Sequence, residues 1–143
     1  MRTILVSIAM LMMVKSVSAQ GTQDQVTFAK NVVPILQERC QVCHRPGTFA
    51  PMSLVTYDEI RPWAKSIKQK VGAREMPPWF IDRNVGIQHF SNDISLTDAE
   101  IATIVKWVDA GAPKGNEADM PKSRVWPAEE TWQIGQPDVV INL

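Results

Sequence analysis

The chain has 143 residues, which is enough for one domain and short for two. It carries 15 basic and 15 acidic residues, so it lacks the strong positive field that would attract nucleic acid or an anionic membrane surface. Its two cysteines, Cys40 and Cys43, are separated by only two residues.

Residues 1–19 have the features of a secretory signal peptide. Arg2 supplies a basic start, the apolar run 4–14 is too short to cross a bilayer, and small residues precede Gln20, the expected new N-terminus. Lys15 interrupts this pattern, and an uncleaved N-terminal anchor is the alternative. Cleavage would leave 13 basic and 15 acidic residues. The mature chain would be periplasmic or secreted, where thiols are oxidised or capped.

After a loose polar lead at residues 20–25, three segments show the apolar spacing of helices. The first leads to Cys40 and contains Pro34, which the first turn of a helix tolerates. The second runs from about residue 62 to 71 and stops at Gly72. The third begins with Thr97 and Glu100 at capping-box spacing. The expected buried positions are Phe28, Val32, Ile35 and Leu36; Ile60, Ala64, Ile67 and Val71; and Ile101, Ile104, Val105 and Val108. No convincing strand pair is seen, so the sequence predicts an all-α domain.

The stretch "CQVCH", residues 40–44, is the attachment signature of c-type haem. Two thiols add to the two vinyl groups on one porphyrin edge, and a helical turn with two intervening residues holds the sulfurs at that separation. His44 then lies under the iron and donates an imidazole nitrogen. The sequence therefore predicts one covalent haem c, with its iron, per chain.

Cys40 and Cys43 have three alternative uses: a zinc site, a redox dithiol and a structural disulfide. A structural zinc site needs about four ligands, and His89 is the only histidine besides His44. A thioredoxin-like dithiol expects a βαβ context, of which the sequence gives no sign. A disulfide between Cys40 and Cys43 would close a very small loop with little entropic effect. Haem attachment agrees best with export and with the helical pattern.

Met76 is the expected second axial ligand of the iron. It stands in "GAREMPPWF", between the haem motif and the last helix, and the two following prolines stiffen its backbone. A thioether favours ferrous iron. His89 is the second choice, and Met52 is too close in sequence to His44 to cross the ring. Core filling is the alternative role for Met76. An open sixth site would instead indicate a haem enzyme or sensor.

Four segments, taken in chain order, resemble a class I cytochrome c. They are the helix that leads into "CQVCH", the proline loop "APMSL", the methionine loop "MPP" and the closing helix "LTDAEIATIVKWVDAGAP". The resemblance covers residues 26–113 and implies three to four helices around one haem, in a domain we bound at 26–115. It implies that Phe28 and Trp107 meet where the first and last helices cross. It also implies that a proline carbonyl, of Pro51 or secondly Pro46, accepts the ring N–H of the proximal histidine. Residues 116–143 are then a proline-rich tail or the start of a further domain.

A closer resemblance is to the haem domain that precedes a copper type II, ascorbate-dependent-monooxygenase-like region in some bacterial exported proteins. It is carried by "FAKNVVPILQERCQVCHRPG", "APMSLVTYDEIRPWAKSIK", "REMPPWF", "IVKWVDAGAPKGN" and "WQIGQPDVVI". The motifs that would bind copper are absent. We therefore expect an electron carrier that is not an enzyme by itself, and the alternative is the electron-supplying module of a larger copper protein.

Charged and aromatic side chains near these segments suggest two further roles. Guanidinium groups and indole N–H donors could hold haem propionates, although ordinary surface and core roles are the simpler reading. The candidates are Arg45, Arg61, Arg74, Trp63 and Trp79. Lysines could form a docking face for an acidic redox partner or adjoining redox domain, or could simply face water. These are Lys65, Lys68, Lys70 and Lys106.

Overall fold

The structure, a computed structural model, describes residues 25–78, 82, 85–86, 90–126 and 136–141. Within these residues the chain is helical and has no strand, which confirms the predicted all-α class. The predicted signal peptide lies outside the described residues. The α-helices are α1 (Val33–Arg39), α2 (Tyr57–Ile60), α3 (Ala64–Gly72) and α4 (Asp98–Asp109). A π-helical turn, Phe28–Val32, runs into α1, and 3-10 turns occupy Arg61–Trp63 and Glu117–Asp119.

The helix boundaries follow local signals in the sequence. Pro34 lies in the first turn of α1, and α3 ends at Gly72, both as predicted. The Thr97–Glu100 capping box is present at the start of α4. The second predicted helix begins later than expected, at Ala64, because a 3-10 turn precedes it. Pro62 in that turn has no N–H for an α-helical hydrogen bond, so α2 and α3 are separate segments.

The core forms where the first helical segment packs against α4. Phe28 and Trp107 are fully buried, and their ring centroids are 6.1 Å apart with an interplanar angle of 37°. Tyr57 adds an edge-on contact to Phe28 at 5.3 Å. The expected contact between Phe28 and Trp107 is therefore confirmed. The predicted buried positions of the first two segments are all buried, whereas on α4 only Ile104 of the predicted stripe is, and Ile101, Val105 and Val108 are half-buried.

The segment after α4 returns to the start of the domain. The carbonyl oxygen of Pro113 accepts the Phe28 N–H at 2.9 Å and the Trp107 indole N–H at 3.0 Å. The Ala29 N–H donates to the carbonyl oxygen of Lys114 at 3.0 Å. The two backbone bonds, from Phe28 and Ala29, satisfy N–H groups that the first turn of a helix leaves without a partner. They fix the first and last helices against each other.

The next residue, Gly115, sits in a place that only glycine fits. Its φ is +81°, and a Cβ placed there would lie 2.5 Å from the Cβ of Thr27. We expect Gly115→Ala to destabilise the domain by about 1–3 kcal/mol, since the new methyl group would meet a side chain that itself caps the first helical turn. Denaturant unfolding measures this loss.

Gly72→Ala is the matched control. A Cβ at Gly72 meets nothing within 4 Å, and this glycine has no positive φ. Its free energy of unfolding should stay the same or rise by about 0.4–1 kcal/mol, because alanine restricts the unfolded chain. Equal losses for the two variants would show that the close approach to Thr27 is unimportant.

Residues 120–126 pack against α1. Met120 packs on the hydrophobic core. The Gln37 side-chain amide donates to the carbonyl oxygen of Lys122 at 3.1 Å, and Arg124 donates to the carbonyl oxygen of Gln37 at 3.0 Å. The division of the chain at residue 115 stays a prediction, but this part of the expected tail lies on the helix that leads to Cys40. No helix in the described ranges is long and apolar enough to cross a membrane.

Candidate functional site

The CQVCH motif forms a tight turn directly after α1. The N–H groups of Cys40 and Gln41 both donate to the carbonyl oxygen of Leu36, at 3.0 and 2.8 Å. The N–H groups of Cys43 and His44 both donate to the carbonyl oxygen of Cys40, at 3.1 and 2.8 Å. Cys40 and Cys43 are half-buried and are not joined as a disulfide. One helix-like turn therefore presents two thiols and one imidazole together, as the spacing predicts.

The His44 ring is oriented by a backbone carbonyl. Its Nδ1 lies 3.1 Å from the carbonyl oxygen of Met52. Because a carbonyl oxygen only accepts hydrogen bonds, Nδ1 carries the proton in this contact. The lone pair of a neutral imidazole is then on Nε2, the atom available to a metal.

The acceptor of this hydrogen bond corrects a prediction. It is Met52, not Pro51 or Pro46. The loop after the motif is closed by a hydrogen bond from the Leu54 N–H to the carbonyl oxygen of His44, at 2.9 Å. This closure places the half-buried Met52 beside the ring, while Pro51 stays exposed. The kind of interaction was predicted correctly, but the residue was wrong by one.

Further hydrogen bonds stiffen the same loop. The Gln41 side chain is buried, and its amide donates to the carbonyl oxygen of Leu54 at 2.9 Å. The Thr48 hydroxyl donates to the carbonyl oxygen of Arg45 at 2.7 Å and also lies against that of Cys43. The motif turn and the returning chain at Leu54 thus form one hydrogen-bonded unit. Such a unit holds the imidazole with little freedom.

The electrostatic setting of Cys40 is not that of a redox dithiol. Burial, with a smaller contribution from the charges of Cys43 and Glu100, raises the pKa of the Cys40 thiol to about 12 against the opposing effect of Arg39. Reactive dithiols of disulfide oxidoreductases instead have depressed pKa values, because the thiolate is the nucleophile. Cys40 therefore stays neutral at pH 7 and suits thioether formation or burial better than disulfide exchange.

The end of α1 and the segment before Met76 are held by the same stretch, residues 93–100. Arg39 donates to the carbonyl oxygen of Asp93 at 3.1 Å and to the Glu100 carboxylate at 3.1 Å. Arg74 donates to the carbonyl oxygen of Leu96 at 3.3 Å and pairs with the Asp98 carboxylate. The end of α1 and the segment before Met76 are therefore both tied to the start of α4. The ligand role of Met76 stays a prediction.

Glu100 links the helix cap to the residue that precedes Cys40. Burial would raise the pKa of Glu100, but hydrogen bonds from Thr97 and Arg39 outweigh it and hold this pKa below its usual value of 4.5. A lowered pKa in the folded state stabilises the fold above the unfolded pKa, and this contribution is lost as pH falls through the folded value. We expect Glu100→Gln to cost about 1–3 kcal/mol at pH 7.

Urea unfolding at pH 7, 5 and 3 measures this effect. The difference between the wild type and Glu100→Gln should shrink as the pH falls below the unfolded-state pKa of about 4.5, where the unfolded chain takes up the proton first, and should be lost once the pH passes the lower folded-state pKa. Glu117→Gln is the control: its side chain is 82% exposed and, among the described residues, pairs with Lys114, so its effect should be close to zero. A difference for Glu100→Gln that did not change with pH would contradict the assigned role.

Several apolar side chains of the described residues are exposed to solvent. Val42 lies within the motif, Phe49 in the loop after it and Met76 beyond α3; they are 38%, 77% and 39% exposed. A flat apolar group attached to the cysteines would cover side chains of this kind. The donor set fits haem: two free thiols at the attachment spacing and an imidazole with its Nε2 lone pair available.

The remaining predicted residues have mixed outcomes. Trp79 and His89 lie outside the described residues. Among the residues that are described, no group of three or more His, Cys, Asp or Glu side chains could hold a metal ion, so no further zinc ligand is seen there. Lys68 pairs with Asp109 and Lys70 with Glu75, which leaves less uncompensated charge on the expected docking face.

Arg45 has an unexpected partner. Its guanidinium carbon lies 4.2 Å from the centre of the Trp126 ring, and that of Arg124 lies 4.3 Å from the same ring centre. Arg45 also donates to the carbonyl oxygens of Gln41, at 3.0 Å, and Val42, both in the haem motif. No local pattern predicts this pairing across 81 residues, because it depends on residues 120–126 packing against α1.

Comparison with known proteins does not place the chain in a family. No protein-family model, no curated protein and no solved structure matches it. The function of the chain has consequently to be inferred from its residues and their geometry.

Proposed function

We propose that this protein is an exported c-type cytochrome that carries one covalent haem and transfers single electrons. The observation that carries the proposal is the motif turn, in which two free thiols precede a histidine whose Nδ1 proton is held by the Met52 carbonyl oxygen. Cys40 and Cys43 would form the thioether bonds. His44, through Nε2, and Met76, through its thioether sulfur, would bind the haem iron.

The haem supplies the one-electron chemistry, and the chain's own residues set its conditions. The hydrogen bond to Met52 fixes the imidazole plane and makes His44 a better donor to iron. The Phe28–Trp107 core gives the motif helix a rigid base. This arrangement supports the resemblance to class I cytochromes c, which we retain as part of the proposal. The redox partner would be a second protein or an adjoining redox domain.

The test is expression of the full chain, signal peptide included, in cells with haem-attachment machinery. We expect a coloured protein whose pyridine haemochrome spectrum is that of c-type haem and whose mass exceeds that of the polypeptide by one haem. The Cys40→Ser/Cys43→Ser variant should have neither property. A colourless wild-type protein, or one that contains zinc by elemental analysis, would contradict the proposal.

One observation favours a second candidate, a haem enzyme or sensor. Met76 is 39% exposed, and a methionine that is not held by packing would leave the iron easily. An iron with an open position binds peroxide or a diatomic gas. Rapid and tight binding of carbon monoxide by the reduced wild-type protein would favour this candidate over the electron carrier.

A further inference from the structure

A cleft of about 380 Å³ lies between residues 120–126 and the motif helix. Its volume is near the lower end of the range of small-molecule sites, about 300–1,000 Å³. Val33, Val55 and Met120 give it an apolar wall, while Gln37, Gln41 and Ser123 contribute polar groups. The cleft is separate from the thiols and the imidazole of the haem motif, none of which line it.

Two positive charges line this cleft together with the Trp126 ring. Arg45 and Arg124 both lie against that ring, at 4.2 and 4.3 Å from its centre, so their guanidinium carbons are at most 8.5 Å apart. No acidic side chain is among the described residues that line the cleft. Neither arginine forms an ion pair with a carboxylate in the described ranges. The two like charges are therefore uncompensated there.

Both arginines also have N–H groups without a protein acceptor in the described structure. A guanidinium has five N–H groups. Arg45 uses only its Nη1 group, on the carbonyl oxygens of Gln41 and Val42. Arg124 likewise uses only its Nη1 group, on the carbonyl oxygen of Gln37. These bonds fix the positions of the guanidinium groups but leave Nε and Nη2 of each without a protein acceptor in the described structure.

We propose that this cleft binds a small organic anion, with its carboxylate at the guanidinium groups of Arg45 and Arg124 that line the cleft and its apolar body against Val33, Val55 and Met120. Guanidinium groups recognise carboxylates through paired N–H donors, and the charge makes these hydrogen bonds stronger than neutral ones. The Trp126 ring orients both cations by cation–π contact. The site forms only when residues 120–126 pack against α1. It does not involve the residues proposed to bind haem.

Nuclear magnetic resonance titration of the purified mature chain tests the site, with benzoate, acetate and benzamide as probes. Benzoate should shift the Trp126 indole N–H and the Arg124 Nε–H signals in a saturable way. Acetate should bind more weakly because it has no apolar body, and neutral benzamide should give no saturable shift. Arg124→Gln should weaken benzoate binding at least about tenfold, the loss expected for one charge-assisted hydrogen bond.

Arg61→Gln is the matched control, because Arg61 is exposed and does not line the cleft. It should bind benzoate as the wild type does. An unchanged thermal unfolding temperature for Arg124→Gln would show that this variant is folded. No saturable benzoate shift, equal binding by Arg124→Gln and wild type, or equal affinity for benzoate and acetate would each overturn the proposal. The haemochrome experiment tests the haem separately, so the two proposals fail independently.

Discussion

Met76→Leu is expected to remove one ligand of the proposed haem iron while leaving the domain folded. Leucine keeps nearly the same volume, so the stability cost should stay below about 1.5 kcal/mol, but it has no sulfur. Carbon monoxide should then bind the reduced protein, and cyanide the oxidised protein, rapidly and tightly. The midpoint potential should fall, because the thioether that favours ferrous iron is lost. Ligand-binding spectra and a redox titration measure both changes.

Met52→Leu is the matched control for this substitution. Met52 holds His44 through its backbone carbonyl, which leucine retains, and its side chain is only half-buried. The midpoint potential and the ligand binding of Met52→Leu should remain those of the wild type. If Met76→Leu also behaved as the wild type, the second ligand would have to come from another residue, and His89 would be the next to test.

Trp107→Ala is expected to have the largest effect on stability, about 3–5 kcal/mol. Trp107 is fully buried, contacts Phe28 and donates its indole N–H to the Pro113 carbonyl oxygen. Alanine would remove the ring, leave a cavity and leave that carbonyl oxygen with one fewer donor. Since small domains have total stabilities of about 5–15 kcal/mol, this variant would be close to unfolding at physiological temperature. Denaturant unfolding is the measurement.

Two further variants separate the contributions of Trp107. Trp107→Phe keeps a ring against Phe28 but loses the hydrogen bond to Pro113, so its loss should be clearly smaller than that of Trp107→Ala. Val125→Ala serves as the exposed control, because Val125 is 91% exposed, and should change stability by no more than about 0.5 kcal/mol. A loss for Trp107→Ala as small as that of the control would show that the helix crossing does not support the fold.

Local signals in the sequence predicted the helices well. The Thr97–Glu100 capping box, the stop at Gly72 and the proline in the first turn of α1 all appear in the structure. Each depends on residues within about four positions of one another, where backbone hydrogen bonding is decided. The start of the second helix was less accurate, because Pro62 is tolerated by both an α-helical first turn and a 3-10 turn.

Contacts between distant segments were predicted less completely. The Phe28–Trp107 contact was expected from the resemblance to class I cytochromes c and is present. The acceptor for His44 was wrong by one residue, because the closure of the loop at Leu54 selects Met52. The contact between Arg45 and Trp126 was not predicted, because no local pattern of residues connects positions so far apart in the chain.

The sequence by itself determined the composition of the proposed haem site. Two thiols and a histidine at C-x-x-C-H spacing are fixed by covalent order, and a single turn after α1 is sufficient to present them together. Only the tertiary structure decided what surrounds that turn. The stretch that anchors Arg39 and Arg74 lies far along the chain from Arg39, and Trp126 lies far from Arg45. The carbonyl that orients His44 is nearer in sequence, and the closure of the loop after the motif selects it. Their proximity depends on how loops close and helices pack, which no local pattern of residues specifies.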